Sequence, residues 1–106
     1  MEIEILHIDD CPNWQEAGAR VRQALQELGA PEVPVTFTLL STVEEAAARP
    51  FAGSPTVLID GVDAFPSDGA TADLACRVYR VDGRFAGAPS VADLRAVLAP
   101  ALYTRG

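Results

Sequence analysis

The chain opens on Glu2-Ile3-Glu4-Ile5-Leu6-His7-Ile8, where Ile3 and Ile5 alternate with glutamates before Leu6 and Ile8 fill the other face. A run that becomes apolar on both faces reads as a central strand. Cys11-Pro12 then opens a helix, because proline suits the first helical position, where its missing N–H would have no partner. Trp14, Ala17, Val21, Leu25 and Leu28 recur at helical spacing and build one apolar face, while Arg20, Arg22, Gln23, Gln26 and Glu27 belong mostly to the wet sides. Gly29 fits the stop, with Pro31 and Pro34 beyond it.

Val35 to Leu40 reads as a second strand, with Val35, Phe37 and Leu39 on one face and Thr36 and Thr38 on the other. Ser41 through Glu44 is a capping-box pattern, which predicts a short helix over 42–48 that ends at Pro50. Residues 53–60 are a Ser-Pro step leading into a third strand. Residues 61–75, with Gly61, Pro66, Gly69 and several aspartates, read as a long loop, and such loops in small domains are often functional. Residues 76–81 alternate and read as a fourth strand, followed by the turn signal Asp82-Gly83. Ser90 caps a last helix in which Leu94, Val97 and Leu98 face inward and Pro100 weakens the final turn. The expected fold is α/β: a mixed four-stranded sheet flanked by helices, in the order β-α-β-α-β-β-α. The helical crossover makes the first two strands parallel, and the last two are free to pair antiparallel.

Composition narrows the class. A chain of 106 residues, 49% apolar and 22% charged, is expected to fold as one globular domain, 1–106. Charged residues interrupt every apolar stretch well short of the roughly 18 residues a membrane-spanning helix needs. The acidic start, Met1-Glu2-Ile3-Glu4, lacks the basic opening of a secretory signal, so a cytoplasmic location is expected. A net charge of -7 would repel a phosphate backbone, and the basic residues are scattered, Arg77, Arg80 and Arg84 being the nearest to a cluster. No nucleic-acid or membrane partner is therefore expected. Two cysteines and one histidine, far apart in sequence, do not make a structural zinc site. Asp60, Asp63, Asp68 and Asp73 lack calcium-loop spacing and read as turn formers. No metal or cofactor is expected, and nothing selects an oligomeric state.

Cys11 is the leading candidate for chemistry. Unpaired N–H groups and the helix dipole favour a thiolate at a helix N-terminus, while Asp9 and Asp10 oppose it by like-charge repulsion. The alternative is an inert cysteine packed in the helix start. His7 reads as a packed strand residue, with a thiolate–imidazole pair as its functional alternative. Cys76 reads as a strand cysteine at the far end of the sheet, roughly 15–20 Å from Cys11 at about 3.3 Å per strand residue. Only a fold-back of residues 61–75 would make it a second thiol. A structural disulfide is disfavoured in a cytosolic chain.

The element order, the segment Ile8-Asp9-Asp10-Cys11-Pro12-Asn13-Trp14 and the segment Gly53-Ser54-Pro55-Thr56-Val57-Leu58-Ile59 together resemble the thioredoxin-like superfamily over nearly the whole chain. The resemblance implies a cis-proline at Pro55 facing Cys11, with the backbone of Ser54 offered to an extended partner segment. It extends to small bacterial thioredoxin-family proteins of the kind sometimes called alkylmercury lyases. The family's redox motif is Cys-x-x-Cys, whereas Cys-Pro-Asn-Trp here puts the Trp14 indole at the fourth position and excludes dithiol cycling within the motif.

The expected function is thiol–disulfide exchange, or mixed-disulfide formation, by a single active-site thiol, Cys11, with a small thiol or a partner protein. Ser54, Pro55 and Trp14 would contact that partner. Two other readings stay open. One is a redox-inactive adaptor that keeps the fold for binding. The other is soft-metal or organomercurial chemistry that uses Cys11 and Cys76 together. Cys76-Arg77-Val78-Tyr79 is reminiscent of the second cysteine segment of organomercurial lyases, but those have an aspartate where Trp14 stands, leaving proton donation to Asp9, Asp10 or a loop aspartate.

Overall fold

The computed structural model describes residues 1–9, 11–66 and 74–104. In chain order the elements are β1 (Ile3–His7), α1 (Asn13–Glu27), β2 (Val35–Leu39), α2 (Val43–Ala47), β3 (Thr56–Ile59), β4 (Val62–Asp63), β5 (Tyr79–Val81), β6 (Arg84–Ala86) and α3 (Val91–Thr104). Strands β1 to β4 form a mixed sheet in the order β2-β1-β3-β4, and β5 and β6 form a separate hairpin. β1 runs parallel to β2, in the register Ile3 to Val35 and His7 to Leu39, as a helical crossover requires. On its other side β1 pairs antiparallel with β3, in the register Ile3 to Ile59 and Leu6 to Thr56.

Alternation along the central strands sorts side chains to two faces. Ile3, Ile5 and Val57 enter one cluster with Ala17, Val21 and Leu25 of α1 and Leu94 and Leu98 of α3. Leu6 and Leu58 point the other way, into a second cluster with Ile8, Cys11, Leu40, Ala46 of α2 and Phe51. β1 is therefore covered on both faces, which is why its sequence turns apolar on both.

Local chemistry sets the helix ends. Pro12 occupies the cap position of α1, one residue before the first helical turn. At the other end Gly29 takes φ 76°, the Ala30 N–H donates to Leu25 at 2.8 Å and the Gly29 N–H to Gln26 at 3.1 Å. These are the two hydrogen bonds of a Schellman stop. The capping box of α2 lies one residue later than expected: Thr42 is the N-cap, and its Oγ1 accepts from the Glu45 N–H at 3.1 Å. α3 starts as expected, with Ser90 Oγ accepting from the Asp93 N–H at 3.0 Å. It then passes through Pro100 to Thr104, with the proline on the exposed side of the helix, where its missing N–H forgoes one intrahelical hydrogen bond.

Two expectations for the second half are corrected. The fourth strand of the sheet is Val62–Asp63, inside the segment read as loop, and it pairs with β3. Asp60 (φ 50°) and Gly61 (φ 85°) form the tight turn between them, with positive φ at both central positions as a two-residue hairpin demands. Residues 76–81 are not a strand of that sheet. Only Tyr79–Val81 is extended, and it pairs with Arg84–Ala86 across Asp82-Gly83. Residues 67–73 of the expected loop, Asp68 and Asp73 among them, lie outside the described residues, as does Asp10.

Candidate functional site

Cys11 follows β1 directly and sits at the entry of α1, 1% exposed, among the side chains of the second cluster. Cys76 does not lie at the far end of the sheet. Its Cα is 5.8 Å from that of Cys11, and the two are joined as a disulfide. That separation falls in the ordinary range for a disulfide, about 4.4–6.8 Å. Cys76 therefore stands beside Cys11, as a bridge residue rather than a strand residue of the sheet.

Ser54 holds Cys76 in place. It forms an isolated parallel bridge with Cys76, in which the Ser54 N–H donates to the Ala75 carbonyl and the Arg77 N–H donates to the Ser54 carbonyl, both at 2.8 Å. The Ser54 hydroxyl accepts from the Ile8 N–H at 3.1 Å, which ties the same residue to the segment that carries Cys11. Ser54 is fully buried and the Ser54–Pro55 peptide bond is cis. Thr56 stiffens the loop from behind: its hydroxyl donates to the Gly53 carbonyl at 2.6 Å and accepts from the Ala52 N–H at 3.1 Å.

The residues after Cys76 anchor the segment. Arg77 is 8% exposed and reaches Asp63 on β4 at 2.9 and 3.2 Å, with a further hydrogen bond to the Phe65 carbonyl. Its guanidinium lies 4.8 Å from the centre of the Tyr79 ring. The Tyr79 hydroxyl donates to the Pro55 carbonyl. Burial pushes this phenol well above its ordinary range, the Asp63 charge adding and the Arg77 charge opposing, so it remains the protonated donor its partner needs. Arg77 was grouped in sequence with the exposed Arg80 and Arg84. No local signal in the sequence separates it, because Asp63 and Tyr79, which set its environment, meet it only in the fold.

Trp14 is placed differently from Cys11. It packs against the first cluster, stacks on His7 with ring centres 4.3 Å apart, and meets Phe37 edge-on at 5.3 Å. His7 is thus a packed strand residue, 8% exposed, with Nδ1 buried and without a hydrogen-bond partner among the described residues. Burial lowers its pKa below the ordinary value of 6.5, opposed by the Asp9 charge and the Ile8 backbone. The native state therefore favours neutral imidazole, and the unfolded chain binds the proton more readily. Stability is complete above about pH 6.5 and is lost as pH falls through the lowered native value. Denaturant midpoints measured between pH 7.5 and 5 should drop for the parent and drop less for His7→Phe. Parallel curves would show that another group carries the acid sensitivity.

Beside Cys76 lies a groove of about 700 Å³, walled by Cys76, Gly53, Val78, Arg80, Asp93 and Val97. Among the described residues no cluster of His, Cys, Asp and Glu is placed to hold a metal ion, and no helix is long and apolar enough to cross a membrane. Comparison with family models, curated proteins and solved structures gives no match to the chain.

Proposed function

We propose that this chain is a thioredoxin-like thiol–disulfide exchange protein whose working pair is Cys11 and Cys76, not a pair within the Cys-Pro-Asn-Trp motif. The observation that carries the reading is the 5.8 Å approach of two cysteines separated by 65 residues, one buried at the entry of α1 and the other exposed. The four strands, the crossover helix and the Ser-Pro loop against the cysteine segment support the family likeness. In a cytoplasmic setting a reversible disulfide is catalytic or redox-sensing more often than structural. The reaction is balanced as an exchange. Two thiols, Cys11 and Cys76, reduce an external disulfide to two thiols, lose two electrons and two protons, and close their own S–S bond.

Equilibration of the full chain in buffers of varied reduced-to-oxidised glutathione ratio, followed by acid quench and thiol counting by mass, tests this. The expected result is one cooperative two-electron transition in which both thiols disappear together. Two cysteines that stay free in the folded protein under every oxidising buffer would leave the adaptor reading in its place. The same proximity also serves thiophilic-metal capture; of the described loop aspartates, Asp60 accepts from the Glu2 N–H and Asp63 pairs with Arg77, which leaves the exposed Asp9 near Cys11 as the proton donor that bond cleavage would need.

A further inference from the structure

Thiol exchange at this pair, which the following rests on, has a direction. We infer that Cys76, not Cys11, is the thiol that meets the partner, and that the partner is a small thiol rather than an extended protein segment. Three features carry this. First, access is one-sided: Cys11 is 1% exposed and enclosed by Leu6, Ile8, Phe51 and Leu58, whereas Cys76 is exposed on the wall of the groove. An attacking thiolate must reach the sulfur from outside, so only Cys76 offers a path. Second, the departing sulfur is then that of Cys11, two residues before the fifteen-residue helix α1, whose N-terminal dipole favours the anion while the charge of Asp9 opposes it. Third, both backbone groups of Ser54 that an extended segment would pair with are already taken, by the Ala75 carbonyl and the Arg77 N–H. Residues 75–77 therefore occupy that edge of Ser54, and the groove beside Cys76 is an open approach among the described residues.

The step balances as follows. A small thiolate attacks Cys76 Sγ, the Cys11–Cys76 bond breaks, a mixed disulfide forms on Cys76, and Cys11 leaves as the thiolate. A second small thiolate then attacks the mixed disulfide, releasing the small disulfide and reduced Cys76. Two small thiols are oxidised and the protein disulfide is reduced.

The test uses the oxidised full chain and reduced glutathione, quenched at short times with an alkylating reagent and mapped by peptide mass. Adduct on Cys76 should exceed adduct on Cys11 at least about tenfold, and the preference should vanish in urea. Oxidised glutathione should modify Cys11→Ser readily and Cys76→Ser at least about tenfold more slowly. A cysteine-containing extended peptide should react no faster than glutathione. Adduct chiefly on Cys11, or a clear rate advantage for the peptide, overturns this assignment and leaves the exchange reading standing. No adduct on either cysteine removes both. The parent protein alone decides between the two sulfurs, so the outcome holds even where the buried Cys11→Ser change impairs folding.

Discussion

Alanine at Gly53 will lower stability and unseat Cys76 in the same stroke. Gly53 adopts φ +106°, where a side chain is strained by about 1–3 kcal/mol. A Cβ there would also stand 2.8 Å from the Arg77 Cβ, 2.9 Å from its Cα and 3.0 Å from its N. Two of those three atoms are backbone, so no rotamer change relieves the overlap. The segment that carries Cys76 must retreat, and with it go the two hydrogen bonds to Ser54. Gly61 supplies the control. It too has positive φ, at +85°, but a Cβ there meets nothing within 4 Å. Gly61→Ala should cost about 1 kcal/mol through conformation alone. Gly53→Ala should cost more than twice that in urea unfolding of the reduced protein, and should slow closure of the Cys11–Cys76 bond. Equal costs at the two glycines would show that the 75–77 segment does not press on Gly53.

The part of the molecule that this prediction concerns is the part least legible in the sequence. The first half was readable because its signals are local and periodic. Ile3, Ile5 and Leu6 state a two-faced strand, the Trp14 to Leu25 spacing states a helix, and Gly29 with its following prolines states the stop. The second half depends on signals that are short or distant. β4 has two residues, too few for alternation to register, although Asp60-Gly61 is the same dipeptide as the Asp82-Gly83 that marked the later hairpin. The alternation of residues 76–81 is genuine, but it belongs to a hairpin of its own, and alternation does not say which sheet a strand joins. The approach of Cys76 to Cys11 depends on the path taken between β4 and residue 74, and no residue type in that stretch encodes a contact across 65 positions. Ser54 was singled out through a family likeness. Its occupation by the chain's own backbone became visible only with Ala75 and Arg77 in place.

The Arg77–Asp63 pair should show a lopsided response to mutation. The pair is mostly withdrawn from water, its side chains 8% and 15% exposed. Asp63→Asn keeps the shape but leaves the Arg77 guanidinium without its countercharge beside the Tyr79 ring, and removing one partner of such a pair costs about 3 kcal/mol or more. Arg77→Met removes the charge and keeps much of the apolar stem. Asp63 then remains at the sheet edge, where its carboxylate still accepts from the Phe65 N–H at 2.9 Å. That change should cost less than Asp63→Asn, and the double variant should recover part of the loss, because no unpaired charge remains. Urea unfolding of the four proteins in the reduced state measures the cycle. Thiol exchange should respond separately, since Arg77, the residue next to Cys76, tethers this segment to Asp63 and the Phe65 carbonyl. Both single variants should shift the glutathione ratio at which the disulfide opens, toward easier reduction, because a looser segment holds the two cysteines together less firmly. A strictly additive cycle with an unmoved redox midpoint would mean that Cys76 is held by the Ser54 bridge alone, and that the salt bridge serves only the edge of the sheet.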